Sequence, residues 1–228
     1  MNIKKGLTLF FILLFPSLLY IFLTSGKHNV LEMPYIGRHD SVWTSVDGKR
    51  ALDTVIHHTV ADFAFTDQQG NTVTRQTVEG KIYVADFFFT TCQSICPIMS
   101  GELYNVQEAF KNDPDVMLLS HTVDPAKDTV EAMAAYAQEY HANDDQWRFL
   151  TGSKEEIYAR ARDSYLLPVA PGDGGEHDFI HAQEVVLIDK QGHIRGMYDG
   201  TSHKAIKDLI QDIKKLKADE AVPKKKKH

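Results

Sequence analysis

The ten-residue run KIYVADFFFT, Lys81 to Thr90, constrains this chain more than any other segment. It is almost unbroken in its apolar character and rich in aromatic and β-branched residues. That pattern predicts a central strand covered on both faces. Immediately after it stands TTCQSICP, which holds the chain's only two cysteines, Cys92 and Cys96. Met99, Leu103, Val106 and Phe110 follow at helical spacing. Proline is favoured at the first helical position, so the pattern predicts a helix from Pro97 to about Lys111.

The remaining segments alternate in the same way. Val60 to Phe65 and Val73 to Arg75 flank the turn signal Asp67-Gln68-Gln69-Gly70-Asn71 and predict a hairpin. Val116 to Val123 reads as a second buried strand. Asp128 is placed to cap a helix over Thr129 to His141, with Glu131 three residues on. Trp147 to Leu150 reads as a short strand, and the capping box beginning at Ser153 opens a helix to about Tyr165. A loop rich in Gly and Pro spans Leu166 to Ile180. Glu184 to Asp189 and His193 to Tyr198 form a hairpin about Lys190-Gln191-Gly192. Ser202 or Thr201 caps a last amphipathic helix. The order β-α-β-α-β-α-β-β-α after a hairpin predicts an α/β domain of thioredoxin-like layout. Its sheet is expected to be mostly parallel, with helices on both faces and one antiparallel strand from the closing hairpin.

Leu7 to Thr24 carries no charge and is about as long as a bilayer-crossing helix requires. Lys4 and Lys5 precede it, which directs the N-terminus to the cytoplasm and the rest outside, on the periplasmic side. The rival reading is a signal peptide cleaved near Thr24-Ser25-Gly26, although no A-x-A-like site follows. Either way the domain is exported. With no cysteine near the segment, a lipidated N-terminal Cys is excluded. The expected organisation is a single-pass membrane anchor over 1–26 and a linker of little structure over 27–55. The thioredoxin-like domain follows over 56–217, then a basic tail over 218–228. The formal charge is −6, and the one basic run, Lys224 to Lys227, is read as a solvated tail. No clustered basic face points to nucleic acid.

A bridge between cysteines four residues apart closes a tiny loop and adds little stability, so their pairing calls for a chemical explanation. They fall between a buried strand and a helix start, at the edge where open α/β sheets place their ligand sites. Unpaired N–H groups at a helix start favour thiolates, which predicts lowered pKa values for both thiols. The strand from Glu184 runs antiparallel to its neighbours in this layout and begins at that same edge. His181 lies just ahead of it and is the histidine that topology delivers to the cysteines. His177 and Glu184 are candidates to stand behind the ligands, while His57 and His58 are expected to be solvated. Two thiolates and an imidazole suit copper, as Cu(I) or Cu(II). Structural zinc wants four protein ligands, which here requires His177 or a carboxylate as the fourth. Asp124 reads as a turn residue, and Asp86 as an acid buried near the site.

The elements FFFTTCQSICPIMS, HTVDPAKDT and FIHAQEVVLIDKQGHI resemble the Sco/SenC family in order and spacing, over roughly Val60 to Leu216. That resemblance implies Cys92, Cys96 and His181 as copper ligands. It also implies a copper chaperone that helps load the copper-containing subunit of cytochrome c oxidase or another copper or thiol partner. Some members act as thiol–disulfide reductants, so Cys92 and Cys96 are also the redox pair of the alternative function. A peroxidase of the peroxiredoxin kind is a third possibility that the paired CxxxC fits poorly. This chain has Thr91 where many relatives carry a His, and Ile180-His181-Ala182 in place of the common D-H-[ST].

Overall fold

The computed structural model describes residues 10–11, 14–20, 33–46, 49–167 and 183–221. The chain divides into two units, Met1–Glu32 and Met33–His228. In the first, residues 10–11 and 14–20 are helical, and the rest of the expected anchor lies outside the described residues. Among the described residues no helix is long and apolar enough to cross a membrane.

The second unit opens with an antiparallel hairpin, β1 (His39–Val46) and β2 (Lys49–His57). This corrects the expectation of little structure between 27 and 55. The signal was hidden because the hairpin stands in solvent: Val42, Trp43, Leu52 and Ile56 are all exposed. With these apolar side chains exposed, they give no period-two burial pattern to read, only local β propensity.

The main sheet holds β3 (Ala64–Asp67), β4 (Thr72–Thr74), β5 (Ile82–Phe88), β6 (Val116–Thr122), β7 (Trp147–Thr151), β8 (Glu184–Ile188) and β9 (Ile194–Asp199). Their order is β4-β3-β7-β6-β5-β8-β9. All seven residues of β5 are buried, as are all seven of β6. Only β5–β6 and β6–β7 pair in parallel; β3–β4, β3–β7, β5–β8 and β8–β9 are antiparallel. The sheet is therefore mixed, not mostly parallel. The β3–β4 hairpin joins it beside β7 and the β8–β9 hairpin beside β5, and both add antiparallel partners that strand order alone does not reveal.

The helices are α1 (Ile95–Ala109), α2 (Val130–Glu139), α3 (Lys154–Ala159) and α4 (His203–Ala221). Leu103 and Val106 of α1, Met133 and Tyr136 of α2, and Leu209 and Ile213 of α4 share one core with Val84, Phe88 and Trp147. The opposite face of the sheet packs Phe63, Phe65, Ile157, Ala161 and Tyr165 against Tyr83, Phe87 and Leu119. The fold thus has the expected layers. Ser153 caps α3 by accepting from Glu156 N at 3.2 Å, and a π turn over Arg160–Ser164 continues it. Between β8 and β9, Gly192 takes φ +88° and donates to Asp189 O at 2.9 Å, closing the expected turn.

Two helix starts differ from expectation. α1 begins at Ile95, so Pro97 is its third residue and Cys96 lies inside the first turn. A proline is tolerated there because the first N–H groups of a helix have no intrahelical partner. For α2 the cap is Thr129, whose hydroxyl accepts from Ala132 N at 3.2 Å. Asp128 is buried and turned toward other partners.

Candidate metal centre

The site grows from the end of β5. Beyond Phe88 the chain turns over Phe89-Thr90-Thr91-Cys92, with Cys92 N donating to Phe89 O at 3.1 Å. Ser94 stands at the N-cap of α1, and Cys96 follows in its first turn. Both cysteines are buried and unbridged. Ser94 Oγ lies 3.6 Å from Cys92 Sγ.

The two thiols respond to each other. Burial pushes the Cys92 thiol up, but hydrogen bonds from the Cys96 thiol and from the Cys96 and Ser94 main chain outweigh it and bring it to about 7. Burial pushes the Cys96 thiol up to about 12, reinforced by its role as donor to Cys92 and by the negative charges of Cys92 and Asp86. The expectation of two lowered thiols is thereby corrected. Two sulfurs sharing one proton cannot both be charged in a low-dielectric site, so one thiolate is stabilised at the expense of the other.

Asp86 lies beneath the pair, 2% exposed on β5. Burial raises its carboxyl to about 7, against the hydrogen bond from Ser120. On the neighbouring helices Ser100 Oγ and Tyr136 Oη are 2.9 Å apart. Asp124, expected as a turn residue, accepts main-chain bonds from Lys127 at 3.0 Å and Asp128 at 2.9 Å. Asp128 holds Thr90 and Thr122. Its spacing predicts a helix cap, since nothing in that spacing distinguishes a carboxylate facing the helix from one facing a neighbouring strand.

His181 and His177 lie outside the described residues. The described chain resumes at Gln183, two residues after His181. A methyl group placed on Gly200 would meet both Gln183 O and Met99 Cε at 3.0 Å. The main chain at Gln183 therefore passes beside α1 one turn beyond Cys96. Glu184 opens β8, which pairs antiparallel with β5, so this strand begins where β5 ends. Among the described residues no three His, Cys, Asp or Glu side chains are grouped to hold a metal.

Elsewhere, His58 is not simply solvated. Its Nε2 is 2.8 Å from Ser164 O. His57 stacks on Tyr35 with ring centroids 3.9 Å apart.

Comparison with known proteins places these observations. Residues 53–218 match the family model described as SCO1/SenC. The SCO1 protein homolog of Bacillus subtilis (strain 168) is 31% identical over 169 residues, covering 73% of this chain and 87% of that protein. The structure of BsSco, described as a member of the Sco family of cytochrome c oxidase assembly proteins with a disulfide switch, is 32% identical. It covers 70% of this chain and 93% of its own, with a TM-score of 0.61. Bradyrhizobium japonicum ScoI, solved with copper bound, is 26% identical and covers 69% of this chain and 99% of its own, with a TM-score of 0.56.

Proposed function

This chain belongs to the SCO1/SenC family, and on that premise we propose that it is a membrane-anchored copper carrier with Cys92, Cys96 and His181 as ligands. The observation that carries this reading is the buried, unbridged cysteine pair at the start of α1. The donor set fits the cargo. Two soft sulfurs sit together, and a bound cation relieves the charge repulsion that keeps Cys96 protonated. Copper is here the substrate, held for delivery. The copper-bound relative supports its identity.

The client is the copper-containing subunit of cytochrome c oxidase or another copper or thiol protein. Support comes from the relative described with oxidase assembly proteins. Residues 1–26 form the single-pass anchor and 218–228 a solvated basic tail. The ligands belong to the thioredoxin-like domain, expected over 56–217, on the extracytoplasmic side. Anaerobic Cu(I) titration of the full chain in detergent tests the assignment. One copper per chain is expected, with tight binding lost in Cys92→Ser, Cys96→Ser and His181→Ala. Retention of tight one-to-one binding in all three variants refutes it.

A second reading is favoured by a specific observation, the opposed thiols. A low thiol beside a high one is the arrangement of a nucleophile and a resolving cysteine. A thiol–disulfide reductant dedicated to one partner would use the same two sulfurs, and their oxidation to a disulfide would abolish copper binding.

A further inference from the structure

The last rung of the β5–β6 ladder pairs Phe88 with Thr122. Beyond it a side chain takes over from the main chain. Asp128, wholly buried in the loop between β6 and α2, reaches across to the segment that carries Cys92. Thr90 N donates to its two carboxylate oxygens at 3.2 and 3.3 Å. The Thr90 hydroxyl donates to Oδ1 and the Thr122 hydroxyl to Oδ2. Thr122 Oγ1 in turn accepts from Asp124 N at 3.0 Å, and Asp128 N donates to Asp124 O at 2.9 Å. The loop that supplies the carboxylate is thus braced against the strand it grips.

Thr90 is the first corner residue of the Phe89–Cys92 turn. Both its donors point to Asp128, so the corner is fixed on a carboxylate that belongs to a different element. Cys92 is two residues beyond the corner, and Cys96 is fixed independently by the first turn of α1. The separation of the two sulfurs depends on how these two supports are held relative to each other. An ordinary helix cap would leave Asp128 at the surface, facing the N–H groups of α2. Thr129 already fills that role, and Asp128 has been taken from it.

We propose that Asp128 is a positioning residue for the cysteine pair: through Thr90 it clamps the turn carrying Cys92 to the end of β6 and thereby sets the balance between the dithiol and the disulfide. The inference deepens the proposed function and rests on Cys92 and Cys96 being the working pair. Charge-assisted hydrogen bonds in a buried site are strong and directional, which suits a clamp better than a neutral contact would.

The test equilibrates the full chain, free of copper, with mixtures of dithiothreitol and its oxidised form. Two thiols of the protein pass two electrons and two protons to oxidised dithiothreitol, which becomes the dithiol as the Cys92–Cys96 bond forms. Asp128→Asn presents an amide N–H₂ to donors that need an acceptor. It is expected to change the equilibrium constant by about tenfold, the scale of losing one such bond from one of two states. Thr90→Val, which removes only the hydroxyl, is expected to move it in the same direction by a smaller factor. Thr90→Ser keeps both donors and is expected to stay near the parent value. Ile157→Ala, on the other face of the sheet, lowers stability without touching the turn and is expected to leave the constant unchanged.

An unchanged constant in folded Asp128→Asn overturns the proposal, as does an equal shift in Ile157→Ala. If Asp128→Asn does not fold, Thr90→Val against Thr90→Ser decides alone, and no difference between them overturns it. A parent chain that binds no copper while the clamp variants still shift the constant refutes copper carriage and leaves the clamp standing.

Discussion

The hydroxyl of Ser120 donates to Asp86 at 2.5 Å, and it does so because the indole N–H of Trp147 occupies its acceptor side at 2.8 Å. Three adjacent strands contribute to this buried chain, which orients one hydrogen-bond donor on the carboxyl. That donor and a main-chain hydrogen bond at Asp86 offset only part of the desolvation, so burial still raises Asp86 to about 7.

The stability consequence has a definite sign. A carboxyl raised from 3.8 to about 7 on folding is fully stabilising below pH 3.8, and that contribution is lost as pH rises toward and through 7. The interval corresponds to roughly 4 kcal/mol as an upper bound. Urea unfolding of the parent at a series of pH values should show this decline, and Asp86→Asn should flatten it. Identical pH profiles for the two proteins would sink the assignment.

His121 acts with the opposite sign. It is fully buried, and its ring stacks on Phe87 with centroids 5.1 Å apart. Burial lowers it from 6.5 to about 4. The stability it contributes is present above pH 6.5 and is lost as pH falls through about 4, by roughly 3 kcal/mol over that window. His121→Leu should remove this acid sensitivity. Unfolding at pH 4.5 and 7 compares the two directly, and an undiminished acid loss in the variant counts against it.

Alkylation should separate the two thiols. In the copper-free chain, the rate of iodoacetamide reaction at Cys92 should rise with a midpoint near pH 7, while Cys96 stays protected. Cys96→Ala removes the thiol that donates to Cys92 and should move the Cys92 midpoint toward the ordinary cysteine value. A midpoint that stays put in Cys96→Ala would show that the pair does not share its proton.

Packing beneath the site should be as sensitive as any core. Leu103 is fully buried on the inner face of α1, within the core shared with α2 and α4. Leu103→Ala should lower stability by about 2–5 kcal/mol. Chemical denaturation measures this, and a loss under about 1 kcal/mol would mean that the helix repacks freely.

Much of the architecture was legible in the sequence. KIYVADFFFT is indeed a strand buried along its length, and the succession of strands and helices after it was read in the right order. Periodicity and capping residues are local signals, and burial on both faces of β5 leaves a continuous apolar run that no loop would carry. The β1–β2 hairpin escaped because Val42, Trp43, Leu52 and Ile56, apolar residues on its two strands, are exposed. The mixed direction of the sheet escaped because antiparallel partners at β7 and β5 are chosen by docking and not by any residue within the strands.

The site divides along the same line. Sequence alone determined that two cysteines stand at a strand-to-helix junction, because strand pattern, turn and proline are all written within seventeen residues of chain, 81–97. Tertiary structure decided what those cysteines are chemically. That Cys92 falls to about 7 while Cys96 rises to about 12 depends on which sulfur is nearer solvent, which donates, and what buried charge lies beneath. It also decided that Asp128 grips Thr90 instead of capping its own helix. Desolvation and hydrogen-bond direction are properties of a packed environment, and residues 38 apart become neighbours only once β5 and β6 lie side by side.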